Sequence, residues 1–575
     1  MNLKMKSQMK NKIKITILSM ALLFGFGCTD LEEVVLDESL TGSVSEDEII
    51  ASVVAPAYGN LSTLFLHTHL FCLQIISSDE GILPARGGKD WYDGGVFYQL
   101  HQHECLPTNA KIRDTWRDLT KMLSRCASAR EALTPMVEAG DATARLFLAE
   151  VRGLQAYYNM LCLDLWGIAF QKDDPAELSV VLRRNEAVEY IKSELEAVVG
   201  DLSTDVGPGR LTQGGAYALL TRLHMNAAVW RDPYAASFDF TDADMDKVIE
   251  YSTKVINDYN YSMSPEYFAC FDNENHDNPE LIFAIDQRPD LASSHNRMCY
   301  WSMSGSFYGN PLYPDGDGTD GGAITQEFYE MWEEAYAPVD PAEADCRLWW
   351  ERLIITPDSA IALEDWKLNR GIYRGLQYGL QNAGRKLPFF QDEEGRYLIG
   401  PIKDIRRVTE EDPYVEYLLK VDFTAEGADY NAGYRVQKYE WSRESTNGTN
   451  KGEHDLVIVR LADMYLLRAE AKLHKGDAAG ALADVNFVRA SRTARPEVTP
   501  PPLTEMNLDL LFRERGFEFY WEHQRRTDMI RFLKYEDPLI EKTNSDPQKR
   551  LFPIPQEAID GTSISEGYLV QNASY

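Results

Sequence analysis

In residues 457–475, Ala462, Leu466, Ala469 and Leu473 recur at helical spacing; Gly476 and Asp477 interrupt the pattern, and Ala478, Ala481, Leu482, Val485 and Val488 begin it again. Small residues at every third or fourth place let two helices approach closely, and Asp477 stands where its carboxylate can accept from the free N–H groups of the second helix. The segment predicts a helical hairpin. Paired helices of the same kind are predicted at 185–200 with 211–231, and at 246–258. A chain built from such pairs must bury them against one another, so the expected fold is mainly α.

Residues 145–170 sharpen that expectation. Leu146, Ala149, Gly153, Ala156 and Met160 form one apolar side, and Phe147, Val151, Leu154, Tyr158, Leu161 and Leu165 another. A helix apolar on two sides lies between other helices. The turn at Gly476-Asp477 looks like one unit of a tetratricopeptide-type array. In 272–322 and 371–453 glycine, proline, asparagine and aromatic residues cluster without a period. Those stretches are expected to be long irregular loops, which in a compact protein are where binding is first sought.

The first thirty residues carry an address. Lys4, Lys6, Lys10, Lys12 and Lys14 precede an apolar run over 15–26, and Gly27 precedes Cys28. That run is shorter than the ~18–20 residues of a membrane-spanning helix, and the layout is that of a bacterial lipoprotein signal peptide over 1–27, with lipidation at Cys28. The pattern departs from the usual lipobox in having Gly25 three places before the cysteine. Loss of 1–27 removes five of 58 basic residues and none of the 90 acidic ones, taking the formal charge from −32 to −37. A polyanion of this kind repels nucleic acid. The remaining cysteines, Cys72, Cys105, Cys126, Cys162, Cys270, Cys299 and Cys346, are odd in number and form no C-x-x-C pair, so no disulfide scaffold is expected. Without a linker tract, residues 28–575 are expected to form one domain: a helical part over 28–270, a loop-rich insertion over 271–455, and C-terminal helical hairpins over 456–575.

Four ordered blocks then resemble a known family. They are 149–158, A-E-V-R-G-L-Q-A-Y-Y, continuing to Leu165-Trp166-Gly167; 457–471, V-I-V-R-L-A-D-M-Y-L-L-R-A-E-A; 510–519, L-L-F-R-E-R-G-F-E-F, with Arg525, Asp528 and Arg531; and 552–555, F-P-I-P, with Gln571, Asn572 and Tyr575. Together they are similar to the signatures of the SusD/RagB family of outer-membrane nutrient-binding lipoproteins. One departure is Glu522-His523-Gln524-Arg525, where the family usually has E-G-x-R. The resemblance implies a SusD-like helical scaffold with loops carrying the ligand surface. It also implies a lipid anchor in the outer membrane at the cell surface, with Asp30, Glu32 and Glu33 resembling an export tag, and delivery of oligosaccharide to a SusC-like TonB-dependent transporter. A peptide-binding variant, as in the RagB branch, and a glycoside hydrolase are the alternatives, since hydrolysis needs only two placed carboxylates.

Within the blocks, Glu514 shares a helix side with Leu510, Phe517 and Trp521, so its carboxylate needs a cation, for which Arg460, Arg468, Arg513 and Arg525 are candidates. Ligand chemistry is sought elsewhere. Residues 78–103 set Trp91 and Tyr92 among Asp79, Arg86, Asp90, Asp93 and several glycines. Aromatic faces suit sugar C–H groups, while Asp and Arg orient hydroxyls. A second aromatic cluster over 300–310 adds Trp301 and Tyr308 as candidates. Acids at 315–320 have calcium-loop spacing, but the twelfth place holds Gln326 and Glu327 comes one late, so a glycine-rich turn is the default. His101 and His103 lack a marked third ligand. No metal, cofactor or catalytic residue is assigned.

Overall fold

The computed structural model describes residues 45–87, 90–172, 176–287, 298–307, 318–352, 359–383, 387–404, 406, 411, 413–423, 427–441, 453–562, 565 and 567–575. Cys28, Tyr308, Asp315 and Asp317 lie outside them. The chain divides into two units, Met1–Ala51 and Ser52–Tyr575. In the first, Ser45 and Glu48 exchange a capping box, with Ser45 N to Glu48 Oε2 at 2.7 Å and Glu48 N to Ser45 Oγ at 3.2 Å, which starts helix α1 (Glu46–Tyr58).

The second unit is a helical scaffold with small sheets. After α2 (Leu70–Ile75) and α3 (Val96–His101) come two long antiparallel helices, α4 (Ala110–Glu138) and α5 (Ala142–Trp166). Asn109 and Asp141 start them by accepting from N–H groups of the first turn. Gly167 ends α5 with φ of 69°, the left-handed cap that glycine takes without strain. As its two apolar sides require, α5 packs on α4, on α6 (Arg184–Val198) and on α7 (Gln213–Arg231). A hairpin of β1 (Ile168–Gln171) and β2 (Val180–Arg183) joins α5 to α6, and α8 (Asp242–Asp258) follows α7.

The loop-rich insertion is less irregular than its composition suggests. It opens on β3 (Leu281–Ile285) and holds helix α9 (Gln326–Tyr336). Strands β4 (Trp349–Trp350), β5 (Arg370–Tyr373) and β6 (Arg435–Gln437) then form a sheet with β5 in the middle. Just beyond its end comes β7 (Leu456–Arg460), antiparallel to β3. Here the structure corrects the helix expected from 457: Val457, Ile458 and Val459 are β-branched and extended, Val457 and Val459 pair across the ladder, and the helix begins only at Leu461. The predicted hairpin then forms, α10 (Leu461–His474) against α11 (Ala478–Ala490). Ala462, Leu466 and Ala469 meet Ala481, Val485 and Val488 in one cluster, and Asp477 accepts from Gly480 N. Helices α12 (Leu508–Phe519) and α13 (Arg525–Arg531) complete the scaffold. All seven described cysteines are free and buried.

Glu514 is buried and paired, but with none of the four candidate arginines. Arg347 and Arg489, each at 2.7 Å, hold it. Arg468 instead meets Asp484, Arg525 meets Asp79, and Arg460 bridges Glu280, Glu518 and Glu522. Spacing along one helix cannot reveal a partner brought in from the insertion. Glu518 is the hub, with Arg347 at 3.0 Å and Arg460 and Arg492 at 2.6 Å, while Glu280 also takes Arg492 and Lys438 closes onto Glu522. The turn at 522–525 survives its departure from E-G-x-R because His523 itself adopts φ of 63°. Its ring packs edge-on against Phe65 and Phe71, with centroids 4.8 and 5.0 Å away, and that packing offsets a backbone strain of about 1–2 kcal/mol.

Burial opposes the Glu518 charge, yet Arg492, Arg460 and Arg347 outweigh it and hold its carboxyl well below the usual carboxylate range. The stability this contributes is therefore present at neutral pH and lost only as pH falls through that depressed folded value. Glu518→Gln leaves three buried guanidiniums short of one charge and is expected to cost about 3–5 kcal/mol at pH 7 in denaturant titration. A loss under 1 kcal/mol would show that the network does not carry the core.

Candidate functional site

A backbone bridge between Arg86 and Asp90 organises the site. Arg86 and Asp90 exchange backbone hydrogen bonds, Arg86 N to Asp90 O at 2.8 Å and Asp90 N to Arg86 O at 3.0 Å. The Arg86 side chain, fully buried, donates to the carbonyls of Asp320, Gly321, Asp429 and Ala432 at 2.7, 3.0, 3.3 and 2.8 Å. One guanidinium thus ties the turn to two segments of the insertion. Burial pulls its pKa down to about 10.

Around this tie the surface residues assemble a shelf. Tyr430 donates its hydroxyl to Asp90 Oδ2 at 2.6 Å, and Arg406 lies 4.0 Å over the Tyr430 ring. Arg406 also pairs with the buried Asp320 at 2.5 Å. Burial works against the Arg406 charge, but Asp320 outweighs it and the net shift is upward. Two glycines make the approach possible. Gly87 has φ of 57° and a Cβ there would meet the Tyr430 ring at 2.8 Å; one at Gly305 would lie 2.9 Å from Asp320 Oδ2 and 3.1 Å from Arg406. Trp91, half-buried, adopts φ of 63° and donates its indole N–H to Thr319 O at 2.8 Å. Tyr92 beside it is 44 % exposed. Left-handed backbone at Trp91 and Asp93 in one turn is strain of the kind held at binding surfaces.

The structure divides the expected residues. Asp90, Trp91, Tyr92 and Asp93 lie together on this turn, with Asp93 turned toward Lys111 at 3.1 Å. Three others are inside. Asp79 is buried and forms a two-bond pair with Arg525, at 2.6 and 2.7 Å. Arg86 is the buried tie already described, so its donors serve backbone rather than ligand. Trp301 has no exposed surface: it stands beneath Trp91, with ring centroids 6.3 Å apart, and packs on Phe71 and Trp521 at 5.2 and 5.3 Å. Its ring fills the space left by Gly321 and Gly322, which explains why an aromatic so near glycines can be core. Arg406 and Tyr430 escaped the sequence reading. Tyr430 had a faint signal, an aromatic set among Asp429, Asn431 and Gly433, whereas Arg406 had none.

A shelf with an exposed tyrosine, a half-buried tryptophan, and Arg, Asp and Tyr polar groups fixed by neighbours matches the division between apolar platform and orienting groups in small-ligand sites. The architecture is that of solved SusD-like proteins. It is similar to surface glycan-binding protein A from Bacteroides thetaiotaomicron in complex with laminarihexaose, with a TM-score of 0.64 and 20% identity over 92% of this chain and 99% of that one. It is also similar to a laminarin-binding SusD-like protein, with a TM-score of 0.62 and 17% identity over 92% and 99%. Residues 414–575 match the SusD family. Among curated relatives, the starch-binding protein SusD of Bacteroides thetaiotaomicron is 26% identical over 73% of this chain and 68% of its own length. SusD-like protein P25 of Formosa agariphila is 24% identical over 78% and 77%. By these likenesses the chain resembles the SusD/RagB family, whose model its C-terminal part matches.

The division between core and shelf has a direct test. Trp301→Ala is expected to lower stability by about 3–5 kcal/mol, read as a depressed thermal midpoint. Tyr430→Phe keeps the ring under Arg406, loses only the bond to Asp90, and is expected to cost about 1 kcal/mol. A Trp301→Ala midpoint equal to wild type would contradict the buried placement.

Proposed function

We propose that this protein is a cell-surface lipoprotein, anchored through Cys28 in the outer membrane, that captures an oligosaccharide and delivers it to a SusC-like TonB-dependent transporter. The observation that carries the reading is the shelf of Trp91, Tyr92, Tyr430, Arg406 and Asp90, held rigid by Arg86. Its aromatic faces offer stacking platforms to sugar rings, and its fixed polar groups offer directional bonds to hydroxyls. The Arg406 charge is already met by Asp320, and Asp90 adds a second carboxylate 4.0 Å from it, which favours a neutral glycan over an acidic one. The relatives point the same way, since their names record binding of starch and laminarin.

Binding without hydrolysis is the reading of the two carboxylates nearest the shelf. Asp90 is engaged by Tyr430, and Asp320 is buried under Arg406 and the Gly305 N–H at 2.7 Å. Both serve to position neighbours rather than to wait for a leaving group or water. The helical hairpins, read as tetratricopeptide-type pairs in a single SusD-like domain, leave broad faces for the transporter.

An array of neutral glycans and peptides on the protein lacking residues 1–28 tests the ligand class, with glycan binding expected. On a bound glycan, Trp91→Ala and Tyr92→Ala are each expected to weaken affinity about tenfold or more in calorimetry, as loss of one stacking face does. Peptide binding alone would move the chain to the RagB-like reading. Cys28→Ala is expected to release the protein from the membrane fraction; retention there counts against the anchor.

A further inference from the structure

Arg183 ends β2 opposite Ile168, and α6 begins at the next residue, so two consecutive guanidiniums, Arg183 and Arg184, stand at one corner of the scaffold. Both line an open pocket of about 370 Å³, together with Tyr234 and an apolar wall of Trp230, Leu551 and Val570. None of these residues belongs to the shelf.

The two arginines differ in what they already hold. Arg184 is exposed, and its Nη1 donates to Arg231 O at 3.2 Å and to Asp232 Oδ1 at 3.0 Å. Arg183 is half-buried, donates from Nη2 to Val570 O at 2.9 Å, and pairs with no carboxylate among the described residues. A guanidinium carries several further N–H donors, and those of Arg183 stay uncommitted. Burial pulls its pKa down; Tyr234 opposes that and Arg184 adds to it. A half-buried cation without a counter-ion is costly, and it stands in a chain whose formal charge is −32. The pocket's amides do not supply the missing charge, for they are spent on backbone. Gln571 Nε2 donates to Ile554 O at 2.8 Å, and Asn572 Nδ2 to Trp166 O and Phe552 O at 3.0 and 2.8 Å. Of the carboxylates nearby, Asp232 is held by Arg184, and Asp546 accepts the Gln548 N–H at 2.9 Å. Tyr234 adds a neutral donor, since burial pushes its hydroxyl up even beside two arginines. The positive end of the α6 dipole adds to the same charge, offset in part by Glu186 in the first turn.

We propose that this pocket binds a tetrahedral oxyanion, a phosphate or sulfate group, with Arg183 as its principal cation and Arg184 and the Tyr234 hydroxyl as further donors. A carboxylate presents two oxygens to one guanidinium fork, whereas donors arriving from β2, from α6 and from Tyr234 suit the several oxygens of a tetrahedral group. The pocket is larger than one such ion, and its wall of Trp230, Leu551 and Val570 offers the body of a phosphorylated or sulfated sugar an apolar face. This site is thus separate from the shelf in place and opposite to it in preference, since the Arg406 charge there is already met by Asp320.

The test titrates the full chain, purified in detergent, with inorganic phosphate, glucose 6-phosphate and glucose by calorimetry. Glucose 6-phosphate is expected to bind at one site, more weakly as NaCl is raised, and Arg183→Gln is expected to weaken it about tenfold or more, as loss of a charge-assisted bond does. Tighter binding of glucose 6-phosphate than of inorganic phosphate makes the group one carried on a sugar, and equal binding makes it the free anion; either upholds the site. Arg183→Gln keeps a donor for Val570 O and is expected to fold, with a thermal midpoint near wild type. Arg184→Gln changes an exposed side chain, is expected to weaken binding several-fold, and decides the matter where Arg183→Gln does not fold. Failure of both phosphates to bind overturns the proposal, as does glucose binding as tightly as its phosphate. Binding unchanged in the folded arginine variants overturns it too, as does binding that is lost instead in Tyr92→Ala, which would place the anion on the shelf. A neutral glycan on the shelf can bind or fail to bind without altering any of these outcomes.

Discussion

Glu518 sits where the chain's distant parts meet. Its carboxylate is shared by Arg347 from the insertion, Arg460 from the end of β7 and Arg492 from just beyond α11, and Glu280 at the start of β3 takes two of the same arginines. Each of these charges would be prohibitive if buried alone, and each is held by more than one partner. Such a network specifies geometry more sharply than apolar contact can, because a guanidinium out of place leaves a charge unpaired rather than merely a gap. The ladder of β3 and β7, the hairpin of α10 and α11, and the root of the insertion are all registered on it.

A buried guanidinium recurs elsewhere in the insertion, here with neutral partners. Arg86 is buried among four carbonyls, and its work is to join the turn at 86–90 to the segments at 320–321 and 429–432. The carbonyls it satisfies belong to loops that no regular ladder would otherwise pair. A loop surface can then be stiff without being a sheet. Trp301 extends the support from below, so that Trp91 rests on an aromatic layer rather than on solvent. Stiffness matters for a weak, hydroxyl-rich ligand, since ordering a floppy loop would consume the small free energy of a sugar stack.

How much of this was legible in the sequence depends on the range of the signal. Helices α5, α10 and α11 announced themselves through periodicity that is local by nature, and Asp477 capped as its position implied. The β-branched run at Val457 to Val459 was equally local, but the helical pattern beginning at Ala462 masked it. The turn carrying Asp90, Trp91, Tyr92 and Asp93 was legible because its glycines and aromatics are contiguous. Arg406 and Tyr430 were not, for they reach the site from separate loops. Nor could composition distinguish Trp91 from Trp301. Both are tryptophans among glycines, and only the fold reveals that Gly321 and Gly322 close over one of them. The partners of Glu514 failed for a related reason: a buried charge advertises its need for a counter-ion but not where that counter-ion comes from.

The shelf and the scaffold are joined both by polar ties and by the aromatic layer of Trp301, Phe71 and Trp521. The insertion is held near its ends by Glu280, Arg460 and the ladder of β3 and β7, and at 320–321 and 429–432 by Arg86, while its own sheets are short. A side chain exposed on the shelf, such as Tyr92, can change without disturbing either connection, whereas Arg406 is held to the buried Asp320. Arg86, Asp79 and Trp301 cannot, since each is buried in a contact that other segments require. Residue types that look alike in the sequence thus divide by burial into a set exposed on the shelf and a fixed set that holds the first in place. That division lets the exposed side chains of the shelf vary while the charged core stays the same.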